Sequence, residues 1–133
     1  MKKCFFCALQ IKEERKCIIE NKTFFVIYDD YPVSKGHCLI VSKRHLISFF
    51  DLTKEQLQDF FTIIKGAKEI VQNKFQPSAF NIGINEGREA GRTVDHLHIH
   101  LIPRYRGDVA NPVGGVRNVI PWKGDYTKFS HEK

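Results

Sequence analysis

Long hydrophobic runs are missing from these 133 residues. No stretch approaches the roughly 20 consecutive apolar residues of a membrane span, so no membrane-embedded role is expected. Met1-Lys2-Lys3 and the apolar Cys4 to Leu9 open like a secretory signal, but the run is too short and the charged stretch Lys12 to Lys16 follows it. A cytoplasmic protein is the expectation. Blocks of like charge are missing too. Lys and Arg number 21 against 15 Asp and Glu, a formal charge of +6, but the basic residues are scattered. Such a surplus suits a small phosphorylated ligand, and no nucleic-acid-binding tail is expected. Cysteine is sparse, four in all, with a single Cys-x-x-Cys at Cys4 and Cys7. In a reducing compartment that points to metal or free thiols rather than a disulfide framework. Repeats and low-complexity linkers are absent, and the length suits one domain over 1–133.

The patterned remainder reads as strands broken by one long helix. Lys16 to Glu20 and Thr23 to Tyr28 predict a hairpin turning at Asn21-Lys22, and His37 to Val41 predicts a third strand. Thr53-Lys54-Glu55-Gln56 is a capping-box pattern. Behind it Leu57, Phe60, Phe61, Ile64, Ala67 and Val71 recur at helical spacing to about Lys74, ahead of Pro77. Ala79 to Asn85 alternates Phe80, Ile82 and Ile84 with Asn81, Gly83 and Asn85, another strand. From about residue 105 the chain reads as an irregular tail. The class predicted is α+β with an antiparallel sheet.

The stretch of greatest chemical content is Asp95-His96-Leu97-His98-Ile99-His100-Leu101-Ile102-Pro103-Arg104. Alternation at i, i+2 and i+4 is the period of a strand, so His96, His98 and His100 share one face while Leu97, Ile99 and Leu101 enter the core. Same-face neighbours then stand about 6.5–7 Å apart, close enough for imidazoles to converge on one site. The preceding strand predicts an antiparallel neighbour for it.

Three histidines alternating with hydrophobic residues, His96 to Ile102, resemble the signature of the histidine-triad (HIT) superfamily. Asp29-Asp30-Tyr31-Pro32-Val33-Ser34-Lys35-Gly36-His37 looks like that family's nucleoside-binding segment, and Gly91-Arg92-Thr93-Val94 like the loop before its triad. The Gly114-Gly115-Val116-Arg117-Asn118-Val119-Ile120-Pro121 ending resembles bacterial members described as diadenosine tetraphosphate hydrolases. The resemblance implies an antiparallel sheet of about five strands with one long and one short helix, assembled as a homodimer. It also implies a purine nucleotide substrate and nucleotidyl transfer or hydrolysis at an α-phosphate, through a covalent intermediate on His98. Dinucleoside polyphosphates are the favoured substrates. A nucleoside phosphoramidase using the same His98 and a non-catalytic nucleotide-binding module are the alternatives.

Carried onto this chain, the family pattern puts His100, Asn85, Gly91 and Thr93 at the phosphate. Asp29 would accept from ribose hydroxyls; otherwise it is a turn residue beside Asp30. Either Phe25 and Ile27 or Val26 and Tyr28 would wall the base slot. Arg92 departs from the pattern, where Gln is common, and its donor-only guanidinium suits a polyphosphate clamp or a solvent-facing loop position. Cys4 and Cys7 supply half of a four-coordinate zinc site. The resemblance implies that His45 and His96 complete it, as one structural zinc per chain; a reduced thiol pair or a disulfide is the alternative. His37 is expected to be a hydrogen-bonding residue at a strand start, and His131 to lie in a loose terminus.

Overall fold

The computed structural model describes residues 4–11 and 17–129. An antiparallel sheet is built from β1 (Ile19–Glu20), β2 (Phe24–Tyr28), β3 (Cys38–Ser42), β4 (Ala79–Gly83) and β5 (His98–Arg104), in the order β1-β2-β3-β5-β4. Among the described residues two α-helices accompany it, the short α1 (Phe5–Ile11) and the long α2 (Lys54–Phe75). This is the α+β arrangement that the sequence predicts, with β4 and β5 as antiparallel neighbours. The tail carries short 3-10 turns at Gly115–Val119 and Tyr126–Lys128.

Helix α2 starts and stops for local reasons. The Gln56 amide donates to Thr53 Oγ1 at 3.2 Å and the Thr53 amide donates to Gln56 Oε1 at 2.9 Å, a closed capping box. At the other end Gln76 takes a left-handed φ of 55°, and Pro77 cannot continue the helix. The buried stripe Ile63, Ile64, Ala67 and Val71 packs on Phe24, Val26, Cys38, Ile40, Ile99 and Leu101. Each large side chain in that layer contributes about 1.5–3 kcal/mol on burial.

Several predicted strand bounds shift. β1 begins at Ile19 rather than Lys16, which lies outside the described residues, as does His131. Asn21 Oδ1 accepts the Thr23 and Phe24 amides at 3.0 and 2.9 Å, so the hairpin turn keeps Thr23 and β2 begins at Phe24. β3 runs one residue later than predicted, at Cys38–Ser42, and β4 stops at Gly83 rather than Asn85. β5 begins at His98, because the Leu97 amide donates to the Leu46 carbonyl at 2.6 Å, past the end of β3. His96 therefore stands before the strand rather than within it.

The register decides where chemistry can occur. Phe25 pairs with Val41 and Ile27 with Leu39; Val41 pairs in turn with His98, and Leu39 with His100. Those six side chains share the face opposite α2, since directly paired residues point the same way. Phe25, Leu39 and Val41 are buried there with Phe6 of α1. On β4 the partner of His100 is Gly83, where an added Cβ would meet nothing within 4 Å. The sheet leaves open space beside His100. The loop leading to β3 crosses the end of α2 so closely that a Cβ on Gly36, at φ +87°, would sit 2.8 Å from Phe75.

Candidate active site and zinc centre

The imidazole of His98 has its orientation fixed by the backbone. Its Nδ1 lies 2.7 Å from the His96 carbonyl oxygen, which only accepts, so Nδ1 carries a proton and the neutral tautomer has its lone pair on Nε2. The Phe6 ring packs against it, with centroids 4.9 Å apart. A neutral imidazole so tethered presents one nucleophilic nitrogen.

His100 is set by a longer chain of contacts. The Val33 amide donates to His37 Nδ1 at 3.1 Å, which leaves the His37 proton on Nε2. That Nε2 donates to His100 Nδ1 at 2.9 Å, so His100 keeps its own proton on Nε2. Burial pushes both imidazoles below the ordinary histidine value, against the pull of the Asp29 carboxylate. Asp29 Oδ2 stands 3.5 Å from His37 Nε2 and 4.0 Å from His100 Nδ1. These three donor atoms are near enough together to suggest a metal site. The Val33 amide argues otherwise, because ligation through His37 Nε2 would put a proton on Nδ1 facing another N–H. The cluster orients a proton.

A cleft of about 540 Å³ opens over this face, a size suited to a nucleotide-sized ligand. His98, His100, Asp29, Asn85, Gly91 and Thr93 all line it. Ile27, Leu39 and Val33 give it an apolar side, and Phe5 and Phe6 reach in from α1. Of the two wall pairs left open by alternation, β2 turns Phe25 and Ile27 toward this face, while Val26 and Tyr28 join the core under α2. Two expected contacts stay outside the lining: Phe25 is fully buried beneath it, and the Arg92 guanidinium pairs with Asp95 and Glu86.

At the rim of the same face Cys4, Cys7, His45 and His96 bring their donor atoms within 4.8 Å of one another. Cys4 Sγ lies 3.2 Å from His96 Nδ1, and Cys7 Sγ lies 3.3 and 3.4 Å from the Nδ1 atoms of His45 and His96. Tetrahedral zinc with ordinary bond lengths separates a sulfur from a nitrogen by about 3.5 Å, so the spacing fits. His96 is fully buried and gives its Nε2 proton to the Ser42 carbonyl at 2.7 Å, which aims the Nδ1 lone pair at the thiols. Both cysteines are free thiols. Two sulfurs and two nitrogens form a closed structural zinc site, one per chain, with no position for substrate.

His37 is the hydrogen-bonding residue at a strand start that the sequence suggests, whereas Phe6 is not singled out by the sequence. His37 announces itself only by standing where β3 begins, and its role depends on the Val33 amide and His100, 63 residues away. Phe6 stands between the two cysteines, a signal that becomes meaningful once the metal site fixes which way the segment faces.

Comparison with known proteins agrees with this geometry. Bis(5'-nucleosyl)-tetraphosphatase (asymmetrical) of Schizosaccharomyces pombe is 40% identical over 77 residues, which are 58% of this chain and 42% of that protein. The chain thus matches less than half the length of that relative. An uncharacterised HIT-like protein of Methanocaldococcus jannaschii is 38% identical over 120 residues, covering 87% of this chain and 91% of that one. Among solved structures, a zinc-bound histidine triad family protein from Mycobacterium smegmatis superposes with a TM-score of 0.71 at 29% identity, covering 81% of this chain and 79% of that one. The HIT domain family model matches residues 10–107, all five strands and the whole histidine stretch, and the chain belongs to the HIT domain family.

Proposed function

We propose that this chain is a nucleotide hydrolase or nucleotidyl transferase acting at the α-phosphate of dinucleoside polyphosphates such as diadenosine tetraphosphate. The observation that carries the reading is the His98 tether: a backbone carbonyl holds the proton on Nδ1 and leaves a nucleophilic Nε2 over a cleft of nucleotide size. The Schizosaccharomyces pombe relative, a bis(5'-nucleosyl)-tetraphosphatase, supports the substrate class.

In the reaction so inferred, His98 Nε2 attacks the α-phosphorus and the bond to the leaving polyphosphate oxygen breaks. His100 Nε2–H donates a hydrogen bond to that oxygen, which leaves as the polyphosphate anion, and His37 holds the tautomer that makes this possible. Water then attacks the phosphorus and releases a proton to solvent; the P–N bond breaks, which restores the neutral His98, and nucleoside monophosphate leaves. Asn85, Thr93 and the Gly91 backbone steady the phosphate oxygens, where positioning matters more than further covalent chemistry. Asp29 accepts from the ribose hydroxyls, and Ile27, Leu39 and Phe6 wall the purine. The zinc site lies outside these steps and anchors α1 to the histidine stretch. We place the protein in the cytoplasm, where Cys4 and Cys7 remain reduced. We also propose a homodimer, with a second copy on the exposed edge of β4, where Ile82 and Phe61 stand in solvent.

The test is intact-mass spectrometry of protein mixed briefly with diadenosine tetraphosphate, beside His98→Ala. The expected result is a transient adenylyl adduct with AMP and ATP released, and an inert variant. Turnover that survives in His98→Ala overturns the covalent mechanism. Absence of both adduct and turnover overturns the polyphosphate assignment.

A further inference from the structure

Arg92 stands between two cleft residues, Gly91 and Thr93, yet its guanidinium turns aside. Its Nε donates to Asp95 Oδ1 at 3.1 Å, and its Nη1 lies 3.9 Å from Glu86 Oε1. The other Glu86 oxygen accepts the Phe49 amide at 3.1 Å. One cation thus joins the two ends of the loop 86–95, and through Glu86 it joins the loop to the 3-10 turn at Phe49–Asp51. The Arg92 side chain is only 17% exposed and lies against the loop, while its partner Asp95 stands in solvent at 72%.

Backbone bonds do not replace it. The Ala90 and Arg92 amides donate to Gly87 O and the Gly91 amide donates to Arg88 O, closing a turn whose last bond is at Arg92. Thr93 comes after that closure, in the stretch spanned by the Arg92–Asp95 pair. Gly91, at φ +102°, lies beside Asn85 at ordinary contact distance, 3.9 Å from a Cβ placed there, and the two border the same part of the cleft. A guanidinium that clamped a polyphosphate directly would first have to leave both carboxylates.

We propose that Arg92 is a positioning residue: paired with Asp95 and Glu86, it holds Gly91 and Thr93 at the phosphate subsite without touching phosphate itself. The proposal rests on the nucleotide reading of the cleft and names a residue that sets ligand affinity there. Two ion pairs of this kind together are worth about a fivefold change in an equilibrium constant.

Calorimetric Kd values for AMP and for the α,β-methylene analogue of ATP, measured on wild type, Arg92→Ala, Arg92→Lys, Glu86→Gln and the Arg92→Ala/Glu86→Gln double variant, test this. The expected result is that Arg92→Ala weakens both ligands by the same factor, about fivefold. Arg92→Lys should recover part of the loss, and the double variant should be no weaker than Arg92→Ala. A loss several times larger for the triphosphate makes Arg92 a phosphate contact; additive losses break the link to Glu86; unchanged affinities remove any role. Each of these overturns the proposal. Amide hydrogen exchange on ligand-free protein gives an independent reading, with faster exchange at Gly91 and Arg92 expected in Arg92→Ala and Glu86→Gln. Unchanged exchange also overturns the proposal. If wild type binds neither ligand the nucleotide reading fails, while the exchange result still decides whether Arg92 braces the loop. Should Arg92→Ala fail to fold, Arg92→Lys and Glu86→Gln carry the same comparison.

Discussion

His37 is a charge-neutral part of the machinery, and that neutrality has a cost in acid. Burial lowers the affinity of both His37 and His100 for a proton, whereas in the unfolded chain each titrates near 6.5. Above that value neither state takes up protons here and stability is flat. As the pH falls below it, the unfolded chain binds protons that the folded one refuses, so stability declines down through the lowered folded values. Urea denaturation between pH 7.5 and 5 should show this decline, and His37→Gln should show a shallower one because one of the two refused protons is gone. Parallel curves for the two proteins would mean that His37 is not held neutral by its surroundings. The same residue shows the limit of reading residues in order. Alternation makes His98 and His100 visible at once, because a period of two is a local property of the chain. The partner that orients His100 stands just before β3 and is visible only when β3 is laid against β5 in register.

Among the elements, those with a local signal are legible and those held by distant contacts are not. Helix α2 carries its capping box and its apolar stripe in consecutive residues, and its ends fall within a residue or two of the sequence expectation. Strand β4 announces itself by Phe80 and Ile82 against Asn81 and Gly83. Helix α1, seven residues long, has neither signal. A helix that short is not stable in water by itself, so what holds it comes from elsewhere in the chain. Cys4 and Cys7 meet His96 about ninety residues on, and Phe6 is buried against Val41 and Leu39. For the same reason the loss of one thiol should undo the element. Purified protein is expected to hold about one zinc per chain, and Cys4→Ser to lose it together with several degrees of melting temperature, each ~1 kcal/mol being worth roughly 3–6 °C in a chain of this size. Elemental analysis with a melting curve checks both; a metal-free wild type with an undiminished melting temperature would refute the site.

At the scale of the whole molecule the two faces of the sheet are provided for and one edge is not. Helix α2 covers one face, and α1 with the cleft takes the other. β4 ends the sheet, which leaves a row of backbone donors and acceptors without a strand beside them, a template for another chain unless something blunts it. Lys65 and Lys68 lie on the α2 side of this edge, their ammonium groups over the Phe61 and Phe80 rings at 5.4 and 5.8 Å, and leave the outer apolar surface uncovered. Ile82 points outward from β4 at 52% exposure, Phe61 of α2 stands nearby at 63%, and both line one shallow groove with Phe80. An antiparallel edge meeting its own copy about a two-fold axis satisfies both sets of backbone groups and buries the same apolar side chains twice, the self-complementary geometry of a symmetric dimer. Light scattering should therefore return about twice the 15.5 kDa chain mass for wild type, and a monomer for Ile82→Lys combined with Phe61→Lys. The lysines face solvent in a lone chain, so the double variant should keep its fold and its zinc. A wild type of one chain mass at micromolar concentration would refute the dimer, and a double variant that remains dimeric would move the interface away from β4.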